Sequence, residues 1–211
     1  MGPAQLLAYA QRLQAIAQAG MAYANTTYDV ERYAEIRLLT AKLLQDLSDE
    51  PYEKVDRVLA CEAGYPTPKV DVRVVLFRGD QEVLLVREKS DQDKWTLPGG
   101  WADVGYTPYE VAAKEAQEET GLLVKPVRLL ALLDKRKHAH PLQLWYVYKA
   151  FIRCEIIGGE LKQGTEETSA ARWFWKDELS GIELSTDRVT TSQLHALFPF
   201  ARQPDLPALC D

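Results

Sequence analysis

A chain of 211 residues and 23.9 kDa is long enough for one ordinary domain plus a small extra unit, and too short for two large domains. Its 46% hydrophobic and 27% charged residues, with 12 Gly and 11 Pro, are average for a folded globular protein and exclude collagenous, disordered and disulfide-scaffold classes. A formal charge of -6 argues against holding nucleic acid by phosphate neutralisation, and Cys61, Cys154 and Cys210 show no metal-binding spacing and fit a reducing cytosol.

Residues 3 to about 62 read as helix. Leu6, Leu7, Ala10, Leu13, Ala17 and Met21 recur at three- and four-residue steps, as do Ile36, Leu39, Leu43 and Leu47. Gln5, Gln11, Arg12, Gln14 and Gln18 interrupt the first helix, so neither a signal peptide nor a membrane span is expected, and a cytoplasmic location is. A third helix is expected where Ser48 or Asp49 can cap, Pro51 can take the first turn, and Val55, Val58 and Leu59 share a side. Three short helices bury little alone, so this unit, residues 1–64, is expected either to dimerise or dock, or to decorate the main core.

Gly64-Tyr-Pro-Thr-Pro68 ends the helical pattern, and the main domain is expected over residues 65–211. Val70 to Phe77 and Glu82 to Val86, joined by Gly79-Asp80, predict a hairpin. After Leu97-Pro98-Gly99-Gly100 a helix is expected from about Thr107 to Thr120, stopped by Gly121. Strands near 122–133, 143–156 and 171–175, and a helix from about Asp187 to Leu197, complete an α/β pattern with a sheet layered between helices.

The informative element is the glutamate helix. At 100° per residue Glu115, Glu118 and Glu119 fall within an arc of about 100°, beside a strip of small residues, Ala112, Ala113 and Ala116. These carboxylates repel one another and lie where the helix dipole is already negative, at a cost of a few tenths to about 1 kcal/mol each. A solvated surface tolerates that. A hard divalent cation such as Mg²⁺ would instead turn the repulsion into coordination, and the Gly99-Gly100 pair before the helix could bring a carbonyl to the same ion.

The run Gly100, five residues, Tyr106, seven residues, then Lys114-Glu-Ala-Gln-Glu-Glu-Thr-Gly-Leu122 resembles the Nudix box, G-x5-E-x7-R-E-U-x-E-E-x-G-U, where U is a bulky aliphatic. Trp95-Thr-Leu-Pro-Gly-Gly100 and Arg172-Trp-Phe-Trp-Lys-Asp-Glu-Leu179 look like the usual flanks of that box. Over residues 69 to 200 the resemblance implies an α/β/α sandwich with a mixed sheet, here preceded by a small all-helical N-terminal domain. It implies Mg²⁺ or Mn²⁺ held by Glu115, Glu118, Glu119 and the Gly100 carbonyl, and cleavage of a nucleoside diphosphate linked to another moiety.

Three positions depart from the box. Tyr106 stands where it has Glu, Lys114 where it has Arg, and Ala116 where it has a bulky aliphatic. The family's bracing ion pair therefore cannot form, and Lys114 is expected to meet Glu110 or Glu118 instead.

The loop Asp134-Lys-Arg-Lys-His-Ala-His-Pro141 gathers cations and histidines in an acidic chain, so Lys135, His138 and His140 are expected to meet substrate phosphates or move a proton, rather than form a solvated turn. His195 is expected to be a packing or surface residue. Members of the family take a base from a glutamate on a mobile loop, which makes Glu166 or Glu167 the candidate, together with Glu118 and Glu119. Tyr106, Trp101 or Trp145 could stack on a nucleobase.

The helical unit, the Gly100-Trp-Ala-Asp-Val-Gly105 run and the basic loop together look like a bacterial subgroup of the family associated with CDP-choline pyrophosphatase activity and often labelled ADP-ribose pyrophosphatase. That likeness implies CMP and phosphocholine as products, with AMP and ribose 5-phosphate next, and a homodimer through the N-terminal helices. A nuclease or decapping enzyme on the same metal helix and a non-catalytic nucleotide sensor are the other readings, the first disfavoured by the acidic charge.

Overall fold

A computed structural model describes residues 2–48, 55 and 64–211 of the chain. The expected third helix lies, apart from Val55, outside these described residues. The chain divides into two compact units, one of residues 1–68 with Leu142–Tyr146, the other of Lys69–Pro141 with Val147–Asp211.

In the first unit, α1 (Pro3–Tyr23) and α2 (Thr27–Ser48) are the two long helices expected. Pro3 occupies the first turn of α1, where a missing N–H costs nothing. Thr26 opens α2, its hydroxyl accepting the Asp29 N–H at 3.1 Å. Leu7 and Ala10 of α1 pack with Ala41 and Leu44 of α2. The helices also approach closely at Gly20, where a Cβ would lie 2.4 Å from the Tyr33 ring. The opposite side of α1 leaves Tyr9, Leu13, Ile16 and Tyr23 exposed at helical spacing.

The second unit holds two sheets. In the first, β1 (Lys69–Val75), β6 (Val147–Gly159), β5 (Leu122–Asp134) and β8 (Leu209–Cys210) lie in that order. β1 runs parallel to β6, and β5 antiparallel to it, so this sheet is mixed. In the second, β2 (Phe77–Arg78), β3 (Glu82–Glu88) and β4 (Lys94–Thr96) are joined by β7 (Thr168–Trp175), which pairs with β3.

Alternation along β1 separates two cores. Val72 and Val74 pack with Val111, Ala112 and Ala116 of α3 (Pro108–Thr120). Val75 instead joins Leu85, Phe151, Leu133 and, from α4 (Thr191–Leu197), Leu194 and Leu197. Phe200, on the short α5 (Pro199–Arg202), closes that second core. Each such buried Val, Leu or Phe side chain contributes roughly 1.5–3 kcal/mol relative to exposure.

Three expectations are corrected. The predicted hairpin shrinks to Phe77–Arg78 against Glu82–Val83, because Val70 to Val75 pair with β6 in the other sheet. Period-two alternation identifies a strand and not its partner, and the fully apolar Val74-Val75-Leu76 run can cross between sheets because it is buried on both sides. The strand expected from 143 starts at Val147, since Leu142–Tyr146 group with the helical unit, where Gln11 Nε2 donates to the Gln143 and Leu144 carbonyls at 3.0 Å. The last helix begins at Thr191 rather than Asp187, because Thr190 and Gln193 form its capping box.

Candidate functional site

The glutamate helix α3 is fixed at both ends by its own sequence. The Thr107 hydroxyl accepts the Glu110 N–H at 3.3 Å, and the Glu110 carboxylate accepts the Thr107 N–H at 2.7 Å. Gly121 ends the helix at φ +77°, donating its N–H to the Gln117 carbonyl. Thr107→Ala is expected to cost about 1 kcal/mol, read as a lower urea midpoint with an unchanged m-value.

Ala112 and Ala116 are fully buried, so α3 lies close to the sheet and brings Glu115 and Glu119 beside the Leu97–Gly100 turn. Glu119 is 3% exposed and accepts the Gly99 N–H at 2.9 Å. Glu115 is buried against Gly100, where a Cβ would lie 2.9 Å from its Oε1. Glu118 is exposed, 3.6 Å from Lys114 Nζ. Burial pushes Glu119 up to about 8; Arg73 and the Gly99 N–H oppose this and Glu115 and Glu88 add to it. Burial also raises Glu115. Among the described residues no three His, Cys, Asp or Glu side chains form a ready-made metal cage. The three carboxylates share one turn and point to different neighbours.

The glycine turn runs alongside β1. Val72 N–H donates to the Gly100 carbonyl and Val74 N–H to the Pro98 carbonyl, each at 2.8 Å. Gly100 therefore spends one lone pair of its carbonyl on the strand, and the turn residue that hydrogen-bonds a helix carboxylate is Gly99. At Gly99 φ is +143° and a Cβ would sit 2.1 Å from the Val72 carbonyl oxygen. Gly99→Ala is expected to displace the turn, lowering the melting temperature and activity together, since the obstacle is backbone.

Lys114 meets Asp103 and Glu118, each at 3.6 Å, and not Glu110, which is engaged in the capping box. Exposed pairs of this kind contribute about 0–1 kcal/mol. Tyr106 and Trp101 are both about half exposed, at 52% and 50%, as stacking residues would be. Trp145 falls in the helical unit.

The basic loop is held by acceptors. Lys135 is buried, its ammonium 2.6 Å from Asp187, and burial lowers its pKa. His138 Nε2 lies 3.1 Å from the Asp211 carboxylate. His140 Nδ1 lies 2.6 Å from the Thr186 carbonyl. A carbonyl only accepts, so Nδ1 carries the proton and Nε2, buried without a partner among the described residues, is an acceptor. Burial pushes His140 down to about 4, so it is neutral at pH 7. His195 is partly buried on α4.

The loop carrying Glu166 and Glu167 reaches the end of the glutamate helix. Thr168 donates its hydroxyl to the Glu119 carbonyl at 2.9 Å, Lys89 holds the Glu166 carbonyl at 3.0 Å, and the charge of Glu167 acts on Glu115. The Glu167 carboxylate is itself exposed.

Sequence reasoning missed a buried polar cluster beside the glycine turn. Asp71 and Lys149 are register partners on β1 and β6, and their side chains form an ion pair. The same carboxylate accepts Arg73 Nε at 2.9 Å and pairs with its terminal nitrogen at 2.7 Å, and Arg73 donates its other terminal nitrogen to the Leu97 carbonyl at 3.2 Å. Burial alone would raise Asp71, but Arg73 and Lys149 outweigh it and hold the carboxyl below the usual range. Burial brings Lys149 down to about 8 against the pull of Asp71. The available signal was two charges, Asp71 and Arg73, alternating within a run of valines.

An acid-bearing helix thus lies docked on a mixed sheet, with a glycine turn against two of its carboxylates, Glu115 and Glu119. Residues 67–196 match the NUDIX domain model, and residues 4–59 match Nudix_N, described as a UDP-X-like, N-terminal oligomerisation domain. The chain belongs to the Nudix hydrolase family. It is 46% identical over 202 residues to "Putative ADP-ribose pyrophosphatase YjhB" of Bacillus subtilis (strain 168), covering 96% of this chain and 95% of that one. Among solved structures, a UDP-X diphosphatase is 33% identical with a TM-score of 0.62 and full coverage of both chains. An ADP-ribose pyrophosphatase from Streptococcus suis 89-1591 is 36% identical with a TM-score of 0.61, covering 69% of this chain and 100% of that one. No helix among the described residues is long and apolar enough to cross a membrane.

Proposed function

We propose that the chain hydrolyses the diphosphate of a nucleoside diphosphate linked to another moiety, with CDP-choline and ADP-ribose as the first substrates. The observation that carries this reading is the carboxylate turn: Glu115 and Glu119 are buried with raised pKa values beside Glu118 and the glycine turn. Carboxylates so placed fit a hard divalent cation, Mg²⁺ or Mn²⁺, whose charge would offset their burial. Glu115, Glu118 and Glu119 would hold it, with the remaining carbonyl lone pair of Gly100 or its neighbour Gly99. When bound, the cation supplies charge neutralisation at the non-bridging phosphate oxygens and acidifies water.

The chain's own residues supply the rest. Glu118 and Glu119 are the proposed catalytic carboxylates, Glu119 once it loses the proton that burial favours, and Glu167, on the loop tied to the end of α3, is the proposed general base. Lys135, His138 and His140 are assigned to the substrate. Lys135 keeps Asp187 as counterion. Tyr106 and Trp101 offer exposed aromatic faces to a base.

The relatives named for ADP-ribose and the structure named for UDP-X support a small nucleotide diphosphate as substrate. The test is product release with and without Mg²⁺ from CDP-choline, ADP-ribose, a UDP-sugar, NADH, a dinucleoside polyphosphate and a short RNA. Metal-dependent turnover of a small nucleotide is expected. Cleavage of RNA alone would replace the reading with a nuclease, and binding without turnover would replace it with a sensor.

The helical unit, residues 1–64, is assigned to homodimerisation, supported by the exposed Tyr9, Leu13, Ile16 and Tyr23 stripe. Ile16→Glu is expected to halve the mass measured by sedimentation equilibrium, and an unchanged mass removes the assignment. A cytoplasmic setting accords with the free thiols of Cys154 and Cys210.

A further inference from the structure

The loss of the box ion pair leaves the glycine turn in need of another support. Lys114 reaches Asp103 from an exposed position, 3.6 Å away, and holds it weakly. β1 grips the turn at three consecutive residues: Val72 and Val74 through main-chain N–H groups, and Arg73 between them through its side chain on the Leu97 carbonyl. The turn passes the result on, because Gly99 donates its N–H to Glu119 at 2.9 Å. The Arg73 charge also acts on Glu119 and Glu115.

We infer that Arg73, oriented by Asp71 and Lys149, is the positioning residue for the carboxylate turn and takes over in this chain the bracing that Tyr106 and Lys114 no longer supply. The fork geometry is what suits it to this role. Nε and one terminal nitrogen hold Asp71 while the other terminal nitrogen reaches the Leu97 carbonyl, and a lysine ammonium cannot span both directions. Lys149 fixes the Asp71 carboxylate from the neighbouring strand. With Asp71, Arg73 and Lys149 all buried, the brace is rigid where the Lys114 contacts are not. This inference rests on the proposed metal role of Glu115 and Glu119.

The test uses the full chain and reads Mn²⁺ binding by the electron paramagnetic resonance of the free ion, alongside kcat and KM. Arg73→Lys keeps the charge and loses the fork. It is expected to weaken Mn²⁺ binding about tenfold or more, and to lower kcat with KM for the nucleotide little changed. Adding Tyr106→Glu and Lys114→Arg, which restores the box pair, is expected to recover most of the lost Mn²⁺ binding. In the otherwise unchanged protein the same two substitutions should alter Mn²⁺ binding less than about twofold, since the brace is already present.

Mn²⁺ binding equal to the parent in Arg73→Lys overturns the inference, as does an equal effect of the restored pair in both backgrounds. If Arg73→Lys does not fold, recovery of folding by the restored pair supports bracing and absence of recovery overturns it. Failure of the metal reading is distinguishable: the parent protein would then show no Mn²⁺ binding that Glu119→Gln weakens, whatever residue 73 is.

Discussion

Glu119→Gln is expected to lower hydrolysis about a hundredfold or more, the scale on which loss of one preorganised electrostatic contact in an active site acts. The amide oxygen can still accept the Gly99 N–H, so the turn should keep its shape while the negative charge is gone. The same substitution makes a signed prediction for stability. With Glu119 at about 8 in the folded chain and an ordinary value of 4.5 when unfolded, the folded state keeps a proton that the unfolded state has lost between those limits. Stability without metal therefore falls as pH rises from about 4.5 to about 8. Saturating Mg²⁺ should offset that fall, and Glu119→Gln should flatten it, leaving the smaller contribution of Glu115, which is shifted the same way. Thermal unfolding in chelator between these pH values, paired with a rate assay, checks both parts. A rate within twofold of the parent would sink the assignment of Glu119.

Asp71→Asn should be the most destabilising of the substitutions considered, because it leaves Arg73 and Lys149 buried without their shared anion. Removing one partner of a buried ion pair costs about 3–5 kcal/mol, a fall in melting temperature on the order of 10 °C for a unit of this size. The pH dependence identifies the partner. Asp71 has a depressed carboxyl pKa, so its contribution is present above the unfolded value and lost as pH falls through the folded one. Lys149 already releases its proton at about 8, and without Asp71 it should do so lower still. The deficit of Asp71→Asn should therefore narrow as pH rises toward about 8. A deficit constant between about pH 6 and 8 would mean that Lys149 is not the group left stranded.

How much of the site was legible varied with the range of the interactions involved. α3 was readable to within a residue, because Thr107, Pro108, Glu110 and Gly121 are local signals acting across one turn. The spacing of Glu115, Glu118 and Glu119 was likewise a property of one helix. The partners of the basic loop were not legible, since Lys135 finds Asp187 fifty-two residues on and His138 finds the last residue of the chain. The strand over Val70 to Val75 was correctly recognised as a strand and wrongly paired, because alternation carries no address for the neighbour.

By itself, then, the sequence determined the helical first unit, the mixed α/β second unit, and a capped helix whose last turn carries three carboxylates after a double glycine. These are consequences of short-range sterics, hydrogen bonding and periodicity. Tertiary structure alone decided that Gly99 meets Glu119, that Gly100 turns its carbonyl to Val72, and that Asp71 binds Arg73 and Lys149 beneath the turn. Apart from the Asp71–Arg73 pair, which are two residues apart on one strand, those contacts join residues far apart in the chain. They exist because burial removes water from charged groups and leaves them no partners but one another.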